Sequence, residues 1–435
     1  MVKMYTVLSA LGLQVISGDE DYAVRVAAFE LDIDEAKKLR GAAKYLGVTG
    51  AFKKVIDYFR IPAGETPAGF EIRLFLDAEG VARADLARNI SYGKNGKKRP
   101  TGMLFSADSA NPYEIAPISA MVANLTCNPG IIYDLFLNDP KANINNEFKT
   151  RDEVMNEIGK ILGPGADISV EINDPFRKSD AEILEEAEKF REMLSEYRVV
   201  IKVPHTGPVN RDNVAELLRG DKRFSGSYRD VSTKDALRGH NLALMLHENG
   251  FRVNFTLMFE PYQTALALQA RPYFINSFIR HRLIQTKTMD RLLENFALDA
   301  SPSHLEELRN FMLKNDYYSR NEDATDLLSV KNRAEEILAY RQFNSAEGCD
   351  GLDGVRHNLR LLRDCNMENT YLIICSMEGE SNYPDILRLL VSPEFIDMAP
   401  RVIITAEPGY LARFASANQV VSYLRRFMNA AEGAV

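Results

Sequence analysis

From Gly102 onward, short apolar runs recur between longer stretches with helical spacing, and this alternation restricts the chain to few folds. The runs occupy 103–107, 123–126, 168–172, 199–203, 252–257, 273–279, 370–375 and 401–405. Strand and helix signals that alternate in this way predict a parallel sheet, because parallel neighbours need a crossover long enough to hold a helix. Val199-Val200-Ile201 and Leu372-Ile373-Ile374 are continuously apolar, as strands covered on both faces must be. Eight such strands predict an α/β fold of the (β/α)8 TIM-barrel type, for which about 250 residues suffice.

The intervening segments carry helix signals. Ser179 and Glu182 form a capping box, after which Ile183, Ala187, Phe190 and Leu194 share one face. The 242–249 stretch is helical in pattern and Gly250 supplies its stop. The connections 204–241 and 281–369 are too long for a minimal barrel and are expected to be helical insertions. The second carries helix-like stretches at 289–298, 304–314 and 327–340.

The first 100 residues read differently. Helical spacing is found around 22–30 and over 34–60, where Leu39, Ala43, Leu46, Phe52, Val55, Ile56 and Phe59 recur. A strand over 70–77 follows, then a Glu79-Gly80 turn and a second strand or short helix over 81–90. The expected organisation is an N-terminal α+β extension, 1–100, and a barrel, 101–435, interrupted at about 204–241 and 281–369. No internal repeat or low-complexity tract breaks this pattern.

Hydrophobic residues make up 46% of the 435 and charged residues 26%, a balance that supports a large core. A net charge of −8 argues against general nucleic-acid binding. The one basic run, Lys94, Lys97, Lys98 and Arg99, lies between glycines and a proline and reads as a solvated loop. Cys127, Cys349, Cys365 and Cys375 are too scattered for a zinc site or a disulfide framework and read as free thiols. No stretch is apolar enough to span a membrane, and 1–13 makes a poor signal peptide, so a cytoplasmic location is expected.

Chemistry in an eight-stranded barrel gathers where strands end, so polar residues at the ends of apolar runs stand out. These are Asp108, Asn128, Glu171 and Lys202, with Asn254 and Thr256 alternating on one face of the 252–257 run. A lysine after three branched apolar residues is costly unless paired or neutralised. Two readings compete for Lys202. It is either half of a buried ion pair with Glu171 or Asp108, or a desolvated amine with a lowered pKa that acts as a nucleophile. Glu171 and Asp108 taken singly fit cation partners as well as catalysts; Asn254 fits a loop hydrogen bond, and Thr256 an ordinary strand residue. Together the set makes a plausible imine site with its acid and base groups.

In motif and in order, residues 103–282 resemble transaldolases and the related fructose-6-phosphate aldolases. Asp108-Ser-Ala-Asn111 is similar to the first-strand segment with the family's catalytic aspartate, and Thr126-Cys-Asn-Pro-Gly130 to the second-strand signature. Ser169-Val-Glu-Ile172 resembles the third-strand motif, and Val200-Ile-Lys-Val-Pro204 the fourth-strand motif around the Schiff-base lysine. Asn254-Phe-Thr-Leu-Met-Phe259 with Gln263, and 273–278, resemble the fifth and sixth.

The resemblance implies carbohydrate chemistry of the pentose phosphate type, on ketose and aldose substrates, phosphorylated or not, without a metal or organic cofactor. Lys202 would attack the ketose carbonyl, with Glu171 assisting dehydration through a water near Thr256. Asp108 would take the hydroxyl proton that permits carbon–carbon cleavage, and Asn128 and Asn254 would hold the dihydroxyacetone unit.

Departures from the family pattern concern the substrate. The family's sixth-strand serine and phosphate-binding arginine are replaced by Asn276 and His281, the latter flanked by Arg280 and Arg282. Glu378 stands where many members carry a second phosphate-binding arginine, and a carboxylate repels phosphate. Asn276, Arg280 and Arg282 are substrate-binding candidates, and His205 and His281 fit ligand or structural roles equally. An aldolase or transaldolase for a non-phosphorylated or modified sugar, and an inactive sugar-binding or regulatory scaffold, are the alternatives. Neither a membrane nor a nucleic-acid partner is expected, and a homo-oligomer is compatible with the sequence.

Overall fold

The 34–60 stretch does not form the single helix that its spacing predicts. The structure, a computed structural model, describes residues 4–229, 231–375 and 382–433, with Tyr410 by its backbone alone. The N-terminal strands are β1 (Tyr5–Val7), β2 (Gln14–Val15), β3 (Glu30–Asp32), β4 (Tyr45–Val48), β5 (Phe70–Leu76) and β6 (Val81–Arg88). β4 splits the predicted helix into Ile33–Ala42 and Gly50–Tyr58. Pairing explains the break: β4 runs parallel to both β2 and β6, burying Leu46, Gly47 and Val48. Asp19 accepts from the Val48 amide, and Thr49 then caps the second helix through the Phe52 amide. Tertiary pairing thus overrides helical periodicity. The 22–30 stretch likewise holds only a short helix, Glu20–Ala23, and a 3-10 turn before β3.

The sheet order is β2-β4-β6-β5, with β1 and β3 paired apart. β5 and β6 form an antiparallel hairpin, so the 81–90 stretch is a strand over Val81–Arg88 and not a helix. Asp77 accepts from the Glu79 and Val81 amides at its turn, where Gly80 takes a positive φ of 76°. Phe52, Ile56, Phe59 and Phe70 are buried in the core beneath.

All eight apolar runs form strands, with ends within one residue or two of expectation. β7 (Leu104–Asp108), β8 (Val122–Thr126), β9 (Asp167–Glu171), β10 (Arg198–Pro204), β11 (Arg252–Thr256), β12 (Phe274–Phe278), β13 (Tyr371–Cys375) and β14 (Val402–Ala406) close into a barrel in chain order, β14 pairing with β7. The fold is a parallel (β/α)8 barrel. The Ser179–Glu182 capping box is present, and Gly250 ends the Arg238–Glu248 helix with φ 79°.

The chain packs as two compact units. The first holds the residues up to Phe105, with Ser109–Ile168 and Lys189–Val199. Here the fully buried Asp167 carboxylate, at the start of β9, is gripped by Arg88 of β6 and by Arg198 at 3.0 Å. Lys94, Lys97 and Lys98 are exposed, whereas Arg99 is drawn partly inward, its Nε donating to the Ile90 carbonyl at 3.4 Å.

The second unit comprises Ser106–Asp108, Ser169–Glu188 and the chain from Val200 onward. Between β12 and β13 it contains the helices Arg280–Asp299, Pro302–Lys314, Leu327–Tyr340 and Asp353–Asp364. Met289, Leu292, Leu308, Met312, Val330 and Ala334 form a satellite core among the first three. Among the described residues no helix is long and apolar enough to cross a membrane. The four cysteines are free.

Candidate active site

In the second unit, the strand ends bring lysine, carboxylate, amide and hydroxyl groups together. Lys202 of β10 is buried, and its Nζ lies 3.2 Å from Glu171 Oε2 at the end of β9. Their side chains are only 7% and 11% exposed, so the attraction acts across little water. The β10–β11 register sets Lys202 beside Asn254 and Pro204 beside Thr256. Side chains alternate along a strand, so Asn254 and Thr256 share the face of their strand that Lys202 shares on its own.

Asp108 ends β7 and feels the same charges. Burial is the main force pushing its carboxyl up to about 6. Glu407 and Glu171 push in the same direction, while Lys202 and Arg280 pull it back. Asp108 Oδ1 and Thr256 Oγ1 are buried without a hydrogen-bond partner among the described residues. Such orphaned polar atoms are costly in a packed interior. They suit a site in which a substrate or water completes the network.

A chain of side-chain hydrogen bonds fixes the amides. Asn254 Nδ2 donates to Ser169 Oγ at 3.2 Å, and Asn254 Oδ1 accepts from Asn276 Nδ2 at 2.6 Å. Asn276 Nδ2 also donates to the Phe255 carbonyl at 2.9 Å, and Cys375 Sγ lies 3.7 Å from Asn276 Oδ1. Burial pushes the Cys375 thiol well up, so it stays protonated. This orients Asn254 rigidly. Asn128 lies in the first unit, where its side chain caps a short helix by accepting from the Ile131 amide at 2.9 Å.

The cations after β12 differ in their freedom. Arg282 is buried against Asp353 and Glu260, the latter at 3.0 Å, and Glu260 also binds Arg341 at 2.7 Å. Burial penalises the Arg282 charge, but the two carboxylates outweigh it and raise the pKa. Arg280 is exposed and makes no hydrogen bond or ion pair among the described residues. His281 is exposed too, its ring 6.1 Å from that of Phe259. Glu378 lies outside the described residues.

His205 stands edge-on to Phe255 at 4.2 Å. Burial, with His240 nearby, pulls it down to about 4, so it is neutral at physiological pH. Glu407 and Cys375 are site residues that sequence reasoning did not single out. Glu407 had a signal, because it follows the apolar run of β14 much as Asp108 ends that of β7. Among the described residues no three His, Cys, Asp or Glu side chains are grouped to hold a metal.

No curated protein matches the chain. The family model for Transaldolase/Fructose-6-phosphate aldolase matches residues 105–292. That segment begins within β7 and ends within the Arg280–Asp299 helix, so it contains Asp108, Asn128, Glu171, Lys202, Asn254, Thr256 and Asn276. Over residues 105–292 the chain is therefore similar to the transaldolase/fructose-6-phosphate aldolase family.

Proposed function

We propose that the protein is a transaldolase-type enzyme that moves a dihydroxyacetone unit from a ketose donor to an aldehyde acceptor through a Schiff base on Lys202, in the cytoplasm. The Lys202–Glu171 contact at 3.2 Å alone fits an ion pair; the observation that carries this reading is that Asp108 Oδ1 and Thr256 Oγ1, on the strands of the same site, are buried without a hydrogen-bond partner among the described residues.

The chemistry needs the lysine uncharged when it attacks. Glu171, 3.2 Å away, takes the ammonium proton. Lys202 Nζ then adds to the ketose carbonyl carbon, and Glu171 returns the proton to the departing hydroxyl, with a water on Thr256 as relay, leaving a protonated imine. Asp108, as carboxylate, removes the hydroxyl proton next to the breaking bond. The bond between the third and fourth carbons breaks, an aldehyde leaves, and the bonding electrons settle into an enamine on the three-carbon unit. That enamine attacks an acceptor aldehyde, or is protonated and hydrolysed, which separates transferase from aldolase. Asn254, held by Ser169 and Asn276, orients the three-carbon unit.

Incubation with a panel of ketoses and ketose phosphates under borohydride, read by intact mass, tests the proposal. A stable adduct is expected, and none in Lys202→Met. Absence of any adduct from the folded wild type across the panel would leave a sugar-binding scaffold as the better reading.

A specific observation supports a second reading, an uncharged or modified sugar. Arg282 is committed to Glu260 and Asp353, so only Arg280 of the two candidate arginines is available to a phosphate.

A further inference from the structure

The β11 loop and the insertion helix Leu327–Tyr340 enclose a pocket of about 360 Å³ in the second unit. Its walls carry Tyr262 and Glu260 on one side and Arg333, Glu336 and Tyr340 on the other. The helix lies beyond the segment that matches the family model. Glu260 and Tyr262 closely follow Thr256, the last residue of β11, which places the pocket on the face of the barrel where chemistry gathers.

The ionic side chains that line the pocket are paired. Arg341 binds Glu260, and Arg333 Nη1 donates to Glu336 Oε2 at 3.2 Å. These two guanidiniums and two carboxylates balance, which leaves little net attraction for either an anion or a cation. The rings are not satisfied. Tyr262 is 66% exposed and Tyr340 49% exposed, large aromatic surface that is expensive to leave in water. Neither hydroxyl makes a hydrogen bond among the described residues. Burial and the nearby Glu260 carboxylate raise both phenol pKa values, that of Tyr340 to about 12, so both remain donors at neutral pH.

Geometry selects among neutral ligands. The two ring centroids are 6.4 Å apart with planes at 45°. A flat base sandwiched between parallel rings needs roughly 7 Å, two van der Waals layers. This tilted corner is too tight and too oblique for that. It offers instead two angled aromatic faces with hydroxyls at their edges. A puckered sugar ring matches it, because its slightly positive C–H faces lie on the negative ring faces and its hydroxyls meet the phenols.

We infer that this pocket is a binding site for a neutral sugar ring, formed between Tyr262 and Tyr340 on the catalytic face of the barrel. It deepens the reading above, because such a ring is either the remote part of a glycosylated substrate or a separate saccharide.

Ligand-observed NMR on the full chain tests it, with methyl glucoside and maltose as neutral sugars, uridine as a flat ring and glucose 6-phosphate as an anion. The two neutral sugars should bind and uridine should not, with no gain from the phosphate. Tyr262→Ala and Tyr340→Ala should each weaken sugar binding about tenfold. The Phe variants should weaken it less, since they keep the ring and lose only the hydroxyl. Both positions are exposed, and far-UV circular dichroism verifies the fold of each variant. Preference for uridine or the phosphate, no sugar binding, or binding unchanged in the Ala variants would overturn the inference.

The borohydride adduct on Lys202 is read separately. Sugar binding without an adduct refutes the Schiff-base reading and keeps the pocket; an adduct without sugar binding does the reverse. Slower adduct formation in the presence of maltose identifies the remote part of a substrate as the occupant, and an unchanged rate identifies a separate saccharide.

Discussion

Lys202 Nζ and Glu171 Oε2 lie 3.2 Å apart on adjacent strands of a closed barrel, each side chain almost wholly withdrawn from solvent. A pair in this setting is both a catalytic asset and a structural liability. Removing one member takes a charged partner from the other, at a cost of about 3 kcal/mol or more, whereas replacing both by neutral groups costs far less. Lys202→Met should therefore lower the urea midpoint more than the Lys202→Met, Glu171→Gln double variant. Both should be inactive, and Glu171→Gln alone should form the imine about 100-fold more slowly. Rapid-quench trapping with borohydride measures that rate.

Asp108 is held up at about 6, well above the ordinary value of 3.8. The folded protein therefore keeps a proton that the unfolded chain has already released. The stability this gives is full below 3.8 and is lost as pH rises through about 6. Asp108→Asn should accordingly be more stable than wild type at pH 7.5, by about 1–3 kcal/mol, and the gain should vanish by pH 4. Activity runs the other way. The wild-type kcat/KM should rise with pH through about 6 as the carboxylate forms, and the variant should lose most of the turnover.

Arg280 is the free cation of the pair beside His281, and its charge is felt at Asp108. If it receives a phosphate, Arg280→Gln should raise KM for fructose 6-phosphate about tenfold or more and leave KM for fructose unchanged. Equal effects on both sugars would instead assign Arg280 to the electrostatics of Asp108. Steady-state kinetics with the two donors separate these outcomes.

His205 is pulled down to about 4 from 6.5, so the unfolded chain binds the extra proton in between. Stability should fall as pH drops from about 6.5 towards 4, by up to about 3 kcal/mol. This opposes the contribution of Asp108 over part of the same window. His205→Gln isolates it: in urea melts from pH 7.5 to 4.5 the stability of the variant relative to wild type should rise steadily as pH falls below about 6.5.

Asp167 neutralises Arg88 and Arg198 from a fully buried position. Asp167→Asn removes the carboxylate that both guanidiniums share, at a cost of about 3–5 kcal/mol. The melting temperature should drop by several degrees or more. Adding Arg88→Met should restore part of the loss.

The barrel was legible because strands covered on both faces are written as continuous apolar runs, and Lys202 because a lysine at the end of one is chemically anomalous. What stayed hidden depends on contacts between distant positions. β4 carries only a short apolar signal inside an amphipathic stretch, and its strand state is set by pairing with β2 and β6. The bond from Asn276 to Asn254 exists only once the register of β11 and β12 is known. The engagement of Arg282 with Asp353 joins residues 71 apart in sequence, and no local pattern announces it. Glu407 was readable in principle, since it stands immediately after an apolar strand.

The four helices between β12 and β13 show how a barrel can acquire novelty without endangering its chemistry. Lengthening a connection costs only about 0.6 kcal/mol for each doubling, whereas a one-residue slip in any strand turns its inward side chains outward. The ring and the loops therefore answer to different tolerances. Change is punished at Lys202 and cheap at Tyr340, and a chain under selection for a new ligand would be reshaped first in its insertions.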